Sequence, residues 1–295
     1  MTIKHLVISG GGYKGFYSVG VINHLLENKF FDLNNIENIY GSSVGTIIGV
    51  VICLKLEWKD VIEYGINCPW HKKIQFNSKM ILDAFTKKGC LGMEFFSEIL
   101  SGLLHNAKLS KNITFKELYE YSKINLNMYT VNLTEYKLET LNHELTPDLE
   151  IIKGIHMSCC IPFIFQPVFF KNNLYCDGCV INPYPLNKCL EHHKNKKEIL
   201  AIRIIDTKIS PVTEESSIIY YGFYLLFKLV VENYKIKRSY NLKNEVIIPA
   251  VQINMSDAMS ILTDTKTREK MIKEGEKFAT IFLYKNNKNF KDKMY

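Results

Sequence analysis

Apolar positions along the first two thirds of the chain follow two different spacings. Short apolar runs at residues 6–9 and 36–40 predict buried strands. Between them, residues 15–26 carry apolar side chains three and four positions apart, which predicts a helix with one buried face. Residues 44–56 are apolar almost throughout, which predicts a fully buried helix. Strands that alternate with helices are typical of an α/β protein with a mainly parallel sheet.

The same patterns continue along the chain, and their character changes near residue 206. Before that position, alternating runs predict two hairpins and a buried strand, and a capping-box pattern at Thr114 predicts the start of a helix. After it, the chain is mainly helical. The further predicted elements are helices at 78–85, 93–104, 216–234 and 266–283, hairpins at 127–141 and 168–176, and strands at 198–205 and 245–253.

The 295 residues contain neither a repeat of fixed period nor a linker rich in Pro or Gly. A chain of this length forms one large domain or two small ones. The pattern favours a single domain over residues 1–295. It divides into a core of about 3–205, a mainly helical part of about 206–284 and a basic tail, 285–295, that is expected to fray.

Composition narrows the class of protein. Hydrophobic residues make up 47% and charged residues 23% of the chain, which excludes collagen-like and disordered sequences. The 37 Lys and Arg residues against 30 Asp and Glu residues give a net charge of +7, which is modest for a nucleic-acid binder, so no nucleic-acid partner is expected. Eight scattered Cys residues and the lack of a signal-like start predict free thiols and a cytoplasmic location. No apolar run reaches the roughly 20 residues that span a bilayer, so any membrane contact is expected to be peripheral.

A glycine-rich turn follows the first predicted strand and opens the first predicted helix. Backbone N–H groups in such a turn face an anion at the positive end of the helix. Three uses stay open, namely a dinucleotide site, an oxyanion hole and a plain tight turn. Asp32 precedes the second strand instead of ending it, which disfavours the dinucleotide site, and no Gly-Lys-Ser/Thr follows, which excludes a P-loop. The turn consists of Gly10, Gly11, Gly12, Tyr13, Lys14 and Gly15.

Gly41, Ser43 and Gly45 fit the pattern G-x-S-x-G between a predicted strand and an apolar helix. In that context the pattern predicts a nucleophile elbow, in which a sharp turn presents the Ser43 hydroxyl at the helix N-terminus. The alternative is a strand–helix turn in which Ser43 only caps the helix. Ser42 lies off the centre of the motif and is the weaker candidate nucleophile.

A nucleophilic serine needs a base. None of the eight His residues lies in a convincing motif, and His192 and His193 are expected to be solvated because their stretch is charged. Asp177 ends a short predicted strand and is followed by Gly178, so its carboxylate can point along the same sheet edge as Ser43. The alternative is a common Asp-Gly turn.

Together these motifs resemble the patatin-like phospholipase family over most of the chain. The resemblance rests on an oxyanion loop at 10–15, a nucleophile elbow at 41–45, a small-residue block at 157–162 that ends in Pro162, an aspartate signature at Asp177 and Gly178, and a closing helix within 253–282.

The resemblance implies a three-layer α/β/α sandwich and a Ser–Asp dyad. In such a dyad Ser43 attacks an ester carbonyl, Asp177 accepts its proton, and N–H groups at Gly11 and Gly12, with Tyr13 as a further candidate, hold the oxyanion. It also implies acyl esters of lipids as substrates, namely phospholipids, lysophospholipids or related glycerides. This chemistry requires neither a metal nor a cofactor.

Some positions depart from the family pattern. Lys14 stands where Arg is usual, Cys179 where Gly or Ala is usual, and Cys159 and Cys160 where smaller residues are usual. Lys14 is either an electrostatic helper of the loop or a solvated side chain. Cys176 and Cys179 form a C-x-x-C pair at a strand end, where neither zinc nor redox geometry fits, so they are expected to pack.

Three alternatives to a dyad hydrolase stay open from the sequence. A conventional α/β-hydrolase would use the histidine pair at 192–193, although Ser43 has too few strands before it. The others are a dinucleotide-binding module and a non-catalytic lipid-binding protein. The apolar segment 216–231, with Lys237 and Arg238 nearby, is either a core helix, which the pattern slightly favours, or an interfacial helix beside anionic headgroups.

Overall fold

The computed structural model describes residues 2–70, 86–208, 211–235, 241–251, 260–261 and 263–286. These residues form a mixed α/β fold in which a mostly parallel sheet lies between unequal layers of helices. The first strand shows the layering, because Leu6 and Ile8 pack into the larger apolar cluster and Val7 into the smaller one. The predicted α/β/α sandwich is confirmed. The segment 78–85, Lys237, Arg238 and the tail after 286 lie outside the described residues.

Secondary structure follows the predicted order closely. The strands are β1 (His5–Ile8), β2 (Asn38–Ser42), β3 (Gly89–Leu91), β4 (Asn125–Asn132), β5 (Lys137–Leu141), β6 (Phe163–Phe165), β7 (Val168–Phe170), β8 (Asn173–Asp177), β9 (Ile199–Lys208) and β10 (Glu245–Val251). The helices are α1 (Gly15–Glu27), α2 (Val44–Cys53), α3 (Trp58–Asn67), α4 (Met93–Asn106), α5 (Phe115–Ser122), α6 (Ile151–Cys159), α7 (Leu186–His192), α8 (Ile218–Lys235) and α9 (Thr265–Asn286).

Local sequence signals account for several of these boundaries. Thr114 and Glu117 form the predicted capping box at the start of α5, since each side chain accepts the other residue's backbone N–H. Both predicted hairpins are confirmed, as β4 with β5 and β7 with β8. Strand β2 starts later than the apolar run indicated and continues to Ser42, because its pairing with β4 continues to that residue.

The main sheet has a parallel part and an antiparallel part. Strands β10, β9, β1, β2 and β4 pair in that order, and all four pairings are parallel. Strands β5 and β8 both pair antiparallel with β4, and β7 pairs antiparallel with β8. Strands β3 and β6 form a separate parallel pair. The parallel part brings the carboxyl ends of β1 and β2 to one edge of the sheet.

Strand β4 determines where β2 and β8 meet. Residues 128–132 of β4 pair with β5, so β2 and β8 must share the opposite edge of β4. Along that edge, β2 ends with Ser42 opposite Tyr129, and β8 ends with Asp177 opposite Thr130. The carboxyl ends of β2 and β8 therefore meet end to end at adjacent register positions.

Helices α1 and α9 pack with their backbones in close contact. A Cβ on Gly20 would lie 2.0 Å from the Ile272 carbonyl oxygen, and a Cβ on Gly275 would lie 2.1 Å from that of Tyr17. Neither position has room for a side chain, because the obstructing atoms belong to the opposing backbone. This contact fixes the helix that follows the glycine-rich turn against the last helix of the chain.

We expect Gly275→Ala to lower the free energy of unfolding by about 2 kcal/mol or more, because the methyl group must separate α1 from α9. Chemical denaturation followed by circular dichroism measures the change. Gly65→Ala is the matched control: Gly65 is also helical, and the nearest atom to its Cβ would be a Phe16 ring carbon at 3.8 Å. There, the higher helix propensity of Ala should stabilise the protein by up to about 1 kcal/mol. Equal effects of the two substitutions would contradict the close packing.

Two predictions about surface segments are wrong. His192 is exposed as expected, but His193 is half-buried, because its ring stacks on that of His5 with centroids 3.6 Å apart and its Nε2 lies 3.0 Å from the Tyr40 hydroxyl. Burial lowers the pKa of His5 to about 4 and also lowers the pKa of His193.

The favoured core position of the apolar helix is also wrong, because every described side chain of α8 is exposed or half-buried.

Candidate active site

Ser43 lies in a strained turn between β2 and α2. Its backbone has φ 52° and ψ −127°, a combination that non-glycine residues rarely adopt. Two glycines make the turn possible by close backbone approach. A Cβ on Gly41 would lie 2.7 Å from the Gly45 carbonyl carbon, and a Cβ on Gly45 would lie 2.2 Å from the Ile8 carbonyl oxygen. Neither position has room for a side chain, which explains why both flanking positions of the G-x-S-x-G pattern are glycine.

The end-to-end arrangement of β2 and β8 brings Ser43 and Asp177 together. The Ser43 hydroxyl donates a hydrogen bond to Asp177 Oδ2, with an Oγ–Oδ2 distance of 2.7 Å. Gly178, which follows Asp177, fits tightly here, because a Cβ on it would lie 2.3 Å from the Tyr129 carbonyl oxygen. The other predicted support residue, Pro162, lies in the turn between α6 and β6.

The Asp177 carboxylate is almost completely buried, with 2% of its surface exposed. Burial raises its pKa from 3.8 to about 6, although the hydrogen bonds from the Ser43 hydroxyl and from the Cys179 backbone N–H oppose the shift. The Cys179 bond runs to Oδ1 at 2.7 Å, so each carboxylate oxygen has a donor. A carboxylate with this pKa is ionised at neutral pH and is a stronger base than an exposed one.

The glycine-rich turn lies directly against the Ser43 turn. Three of its six N–H groups have acceptors: Gly10 donates to Pro183, Lys14 to Gly11, and Gly15 to Gly12 and Tyr13. Within the described residues, the N–H groups of Gly11 and Gly12 have no hydrogen-bond acceptor. Gly12 has φ 56°, in the left-handed region that favours glycine. These two N–H groups are the ones the turn leaves available to an anion.

Lys14 and Cys179, which depart from the family pattern, both pack at this turn. Lys14 is only 4% exposed, which excludes the alternative of a solvated side chain. The Cys179 thiol occupies the space that a side chain on Gly10 would need, since a Gly10 Cβ would lie 2.1 Å from Cys179 Sγ. Burial raises the pKa of Cys179 well above its usual value, which makes it a packing group rather than a reactive thiolate.

Other candidates from the sequence lie away from this site. Asp32 is exposed, and its carboxylate accepts the Asn34 N–H at the start of a short 3₁₀ turn, which gives no support to a dinucleotide site. His193 stacks on His5 at the start of β1, whereas Ser43 follows the end of the parallel strand β2. His193 therefore lies at the amino ends of these strands, and Ser43 lies at their carboxyl ends. No three His, Cys, Asp or Glu side chains within the described residues are arranged to hold a metal ion.

One residue at the site was missed by reasoning from sequence. Ser158, near the end of α6, is fully buried and accepts a hydrogen bond from the Ser43 backbone N–H at 3.1 Å. Its only sequence signal was its place in the small-residue block at 157–162. A serine in an apolar helix is ordinarily read as packing, so nothing in the spacing pointed to Ser43.

Comparison with known proteins identifies the relatives of this chain. The family described as Patatin-like phospholipase matches residues 6–190. Probable lipid hydrolase 463L of Invertebrate iridescent virus 6 is 30% identical over 197 residues, which cover 66% of this chain and 67% of that protein. Triacylglycerol lipase SDP1L of Arabidopsis thaliana is 28% identical over 164 residues, which cover 55% of this chain and 19% of the lipase.

The fold itself is similar to a solved structure. VipD from Legionella pneumophila matches with a TM-score of 0.57 and 16% sequence identity, over 97% of this chain and 67% of that chain. The mostly parallel sheet and the sequence relatives place the chain in the class of α/β lipid hydrolases. It belongs to the patatin-like phospholipase family.

Proposed function

We propose that this protein hydrolyses carboxylic esters of lipids through an acyl-enzyme on Ser43, with Asp177 as general base. The observation that carries the proposal is the 2.7 Å hydrogen bond from the Ser43 hydroxyl to a buried carboxylate, beside a glycine turn with two available N–H groups. A nucleophile, a base and oxyanion donors are the three parts that acyl transfer needs.

The reaction proceeds in two halves that use the same groups. Asp177 accepts the Ser43 proton as the oxygen attacks the ester carbonyl, and the N–H groups of Gly11 and Gly12 stabilise the negative oxygen of the tetrahedral intermediate. The alcohol leaves with a proton returned by Asp177, and the acyl group remains on Ser43. Water then attacks the acyl-enzyme while Asp177 accepts its proton. As the bond from the acyl carbon to Ser43 Oγ breaks, Asp177 returns the proton to that oxygen, which releases the fatty acid and restores the serine.

The proposed substrates are phospholipids, lysophospholipids or related acyl glycerides, as for a phospholipase A or a lysophospholipase. The names of two relatives support lipid esters, since one is called a lipid hydrolase and the other a triacylglycerol lipase. The burial of Asp177 suits the exclusion of water from the site of acyl transfer.

Covalent capture tests the nucleophile directly. A fluorophosphonate should add one phosphonyl group to the protein, and peptide mass spectrometry should place it on Ser43. Mass spectrometry of a panel of phospholipids, lysophospholipids and glycerides after incubation then identifies the substrate class. Labelling of a residue other than Ser43 would contradict the proposal. So would full lipid hydrolysis by a protein that the fluorophosphonate does not label.

The surface of α8 supports transient contact with a membrane. Ile218 is 84% exposed, and Tyr221, Leu225 and Leu229 are exposed on the same helical face. Gly222 on this helix lies against Phe163, the first residue of β6, which is the strand that follows α6. No helix in the described part of the chain is long and apolar enough to cross a bilayer. We therefore propose that the exposed apolar face of α8 contacts the surface of a membrane.

We expect the double substitution of Leu225 and Leu229 by Glu to weaken binding to phosphatidylcholine–phosphatidylglycerol vesicles at least about tenfold, because apolar contacts are replaced by charges that repel the lipid headgroups. Vesicle sedimentation measures binding. Hydrolysis of a short, water-soluble ester should stay within about twofold of the unsubstituted protein. Leu145→Glu is the control, since Leu145 is at least as exposed as Leu225 and Leu229 but follows β5 rather than lying on α8. An equal loss of vesicle binding in this control would contradict the role of α8.

We also propose that residues 1–295 act as one domain in the cytoplasm, peripheral at membranes. Pairing of β10 with β9 and packing of α9 on α1 support a single unit, because both join the end of the chain to its first two thirds. The cytoplasmic location rests on the sequence alone.

A further inference from the structure

The backbone ladder between β2 and β4 is interrupted where Ser43 turns away. In a continuous parallel ladder, the N–H group after Ser42 would bond to the carbonyl of the residue opposite, Tyr129. Ser43 instead adopts φ 52° and leaves the strand direction. Its backbone N–H and the Tyr129 carbonyl are both buried, and each needs a partner.

The Ser158 hydroxyl fills this gap. It accepts the Ser43 N–H at 3.1 Å and donates its own proton to the Tyr129 carbonyl at 2.6 Å. One side chain thus replaces the missing ladder bond by a two-step bridge. Ser158 is fully buried, so no water competes for either bond.

The same end of α6 is also attached to the aspartate strand. Asp177 donates its backbone N–H to the Cys160 carbonyl at 3.2 Å. The Thr130 hydroxyl lies between two carbonyl oxygens, at 2.7 Å from that of Met157 and 3.0 Å from that of Cys176, and its single proton is shared between them. Residues 157–160 therefore hold the chain on both sides of the Ser43–Asp177 hydrogen bond.

We propose that Ser158 is a positioning residue for the reaction: by bridging the Ser43 N–H and the Tyr129 carbonyl, it holds the nucleophile in line with Asp177. The inference rests on the proposed function of Ser43. It also assigns the Ser43 N–H to this bridge, which removes it from the set of oxyanion donors and leaves that task to the glycine turn.

A direct chemical role for Ser158 does not fit the geometry. Its only proton is donated to a carbonyl and it accepts an amide N–H in a fully buried position, so it is neither a nucleophile nor a donor to substrate. Its contribution is to distance and direction, and small errors of nucleophile placement slow catalysis about 100-fold.

We expect Ser158→Ala to lower kcat for a soluble ester by about 10- to 100-fold while KM stays within about twofold, since substrate contacts are unchanged. The acid limb of the pH profile should keep its midpoint, because Asp177 is untouched. Ser122→Ala is the matched control. Ser122 is a buried helical serine that accepts the Ile124 N–H at the end of α5, and its loss should leave kcat unchanged.

Amide hydrogen exchange supplies a second measurement that needs no turnover. Exchange of the Ser43 N–H should accelerate at least about tenfold in Ser158→Ala and remain unchanged in Ser122→Ala. If Ser158→Ala does not fold, Ser158→Cys, which fills the site with a weakly bonding thiol, is measured in the same way. Unchanged exchange at Ser43, an unchanged kcat, or a loss confined to KM would overturn the proposal. If the unsubstituted protein cleaves no ester but Ser43 exchange still accelerates, the proposed function fails and the positioning bond stands.

Discussion

Ser43→Ala is expected to lower lipid ester hydrolysis by at least about 10⁴-fold, because no other hydroxyl lies on Asp177 to replace the nucleophile among the described residues. Covalent labelling by a fluorophosphonate should disappear with the activity. The fold should be retained, since the substitution removes a hydroxyl and keeps the Cβ and the backbone of the turn. Turnover of a lipid substrate, measured by release of fatty acid, reports the loss.

Ser42→Ala is the control that makes this result specific. Ser42 is also fully buried and directly precedes Ser43, but its hydroxyl lies 3.8 Å from the Cys179 thiol and makes no contact with Asp177. We expect the control to keep turnover within a few-fold. If Ser42→Ala lost as much activity as Ser43→Ala, the hydroxyl at position 43 would not be the nucleophile.

Local patterns in the sequence were sufficient to predict most elements of this fold. The alternation of apolar runs and helical spacings predicted β1, α1, β2 and α2 in order, and the capping box located the start of α5. Each of these signals depends on neighbouring residues, and the burial of one face of a helix or strand enforces it. The same locality explains why a glycine motif and a serine motif could be placed at strand–helix turns.

The contact between Ser43 and Asp177 depends on information that local patterns do not carry. Both residues were recognised from their motifs, but their meeting depends on β2 and β8 sharing one edge of β4, with registers that end at Tyr129 and Thr130. Strand register over 134 positions is set by tertiary packing rather than by spacing. The bridging role of Ser158 follows from that register, which is why the sequence did not reveal it.

Segments whose burial depends on distant parts of the chain were predicted least well. His193 looked solvated because its neighbours are charged, yet tertiary contact with His5 and Tyr40 shields it. Helix α8 looked like a core helix because it is apolar, yet its described side chains are exposed or half-buried. In both cases the local composition did not determine exposure, because exposure depends on which distant parts of the chain pack against the segment.

Asp177→Asn is expected to lower turnover by about 10⁴-fold, because an amide cannot accept the Ser43 proton. The pH profile of the unsubstituted protein locates the same group. Asp177 must be ionised to act as a base, and burial raises its pKa to about 6. The rate constant kcat/KM should therefore be flat above pH about 6 and fall about tenfold for each pH unit below it.

The same substitution should make the protein more stable at neutral pH. The pKa of Asp177 rises from 3.8 to about 6 on folding, so the folded state binds its proton more tightly than the unfolded state does. The buried charge then destabilises the fold by on the order of 3 kcal/mol above pH 6, and this penalty disappears below pH 4, where the group is protonated in both states. Asn carries no charge and should recover much of that free energy at pH 8.

Denaturation of both proteins at pH 8 and at pH 4 measures this effect. The gain from Asp177→Asn should be present at pH 8 and nearly absent at pH 4. Asp32→Asn is the matched control, since Asp32 caps an exposed turn and Asn caps such turns equally well. A variant that is inactive yet more stable would mean that the fold tolerates an unfavourable buried charge because the reaction needs a base there. A loss of stability at pH 8 would instead show that the carboxylate is held for structural reasons.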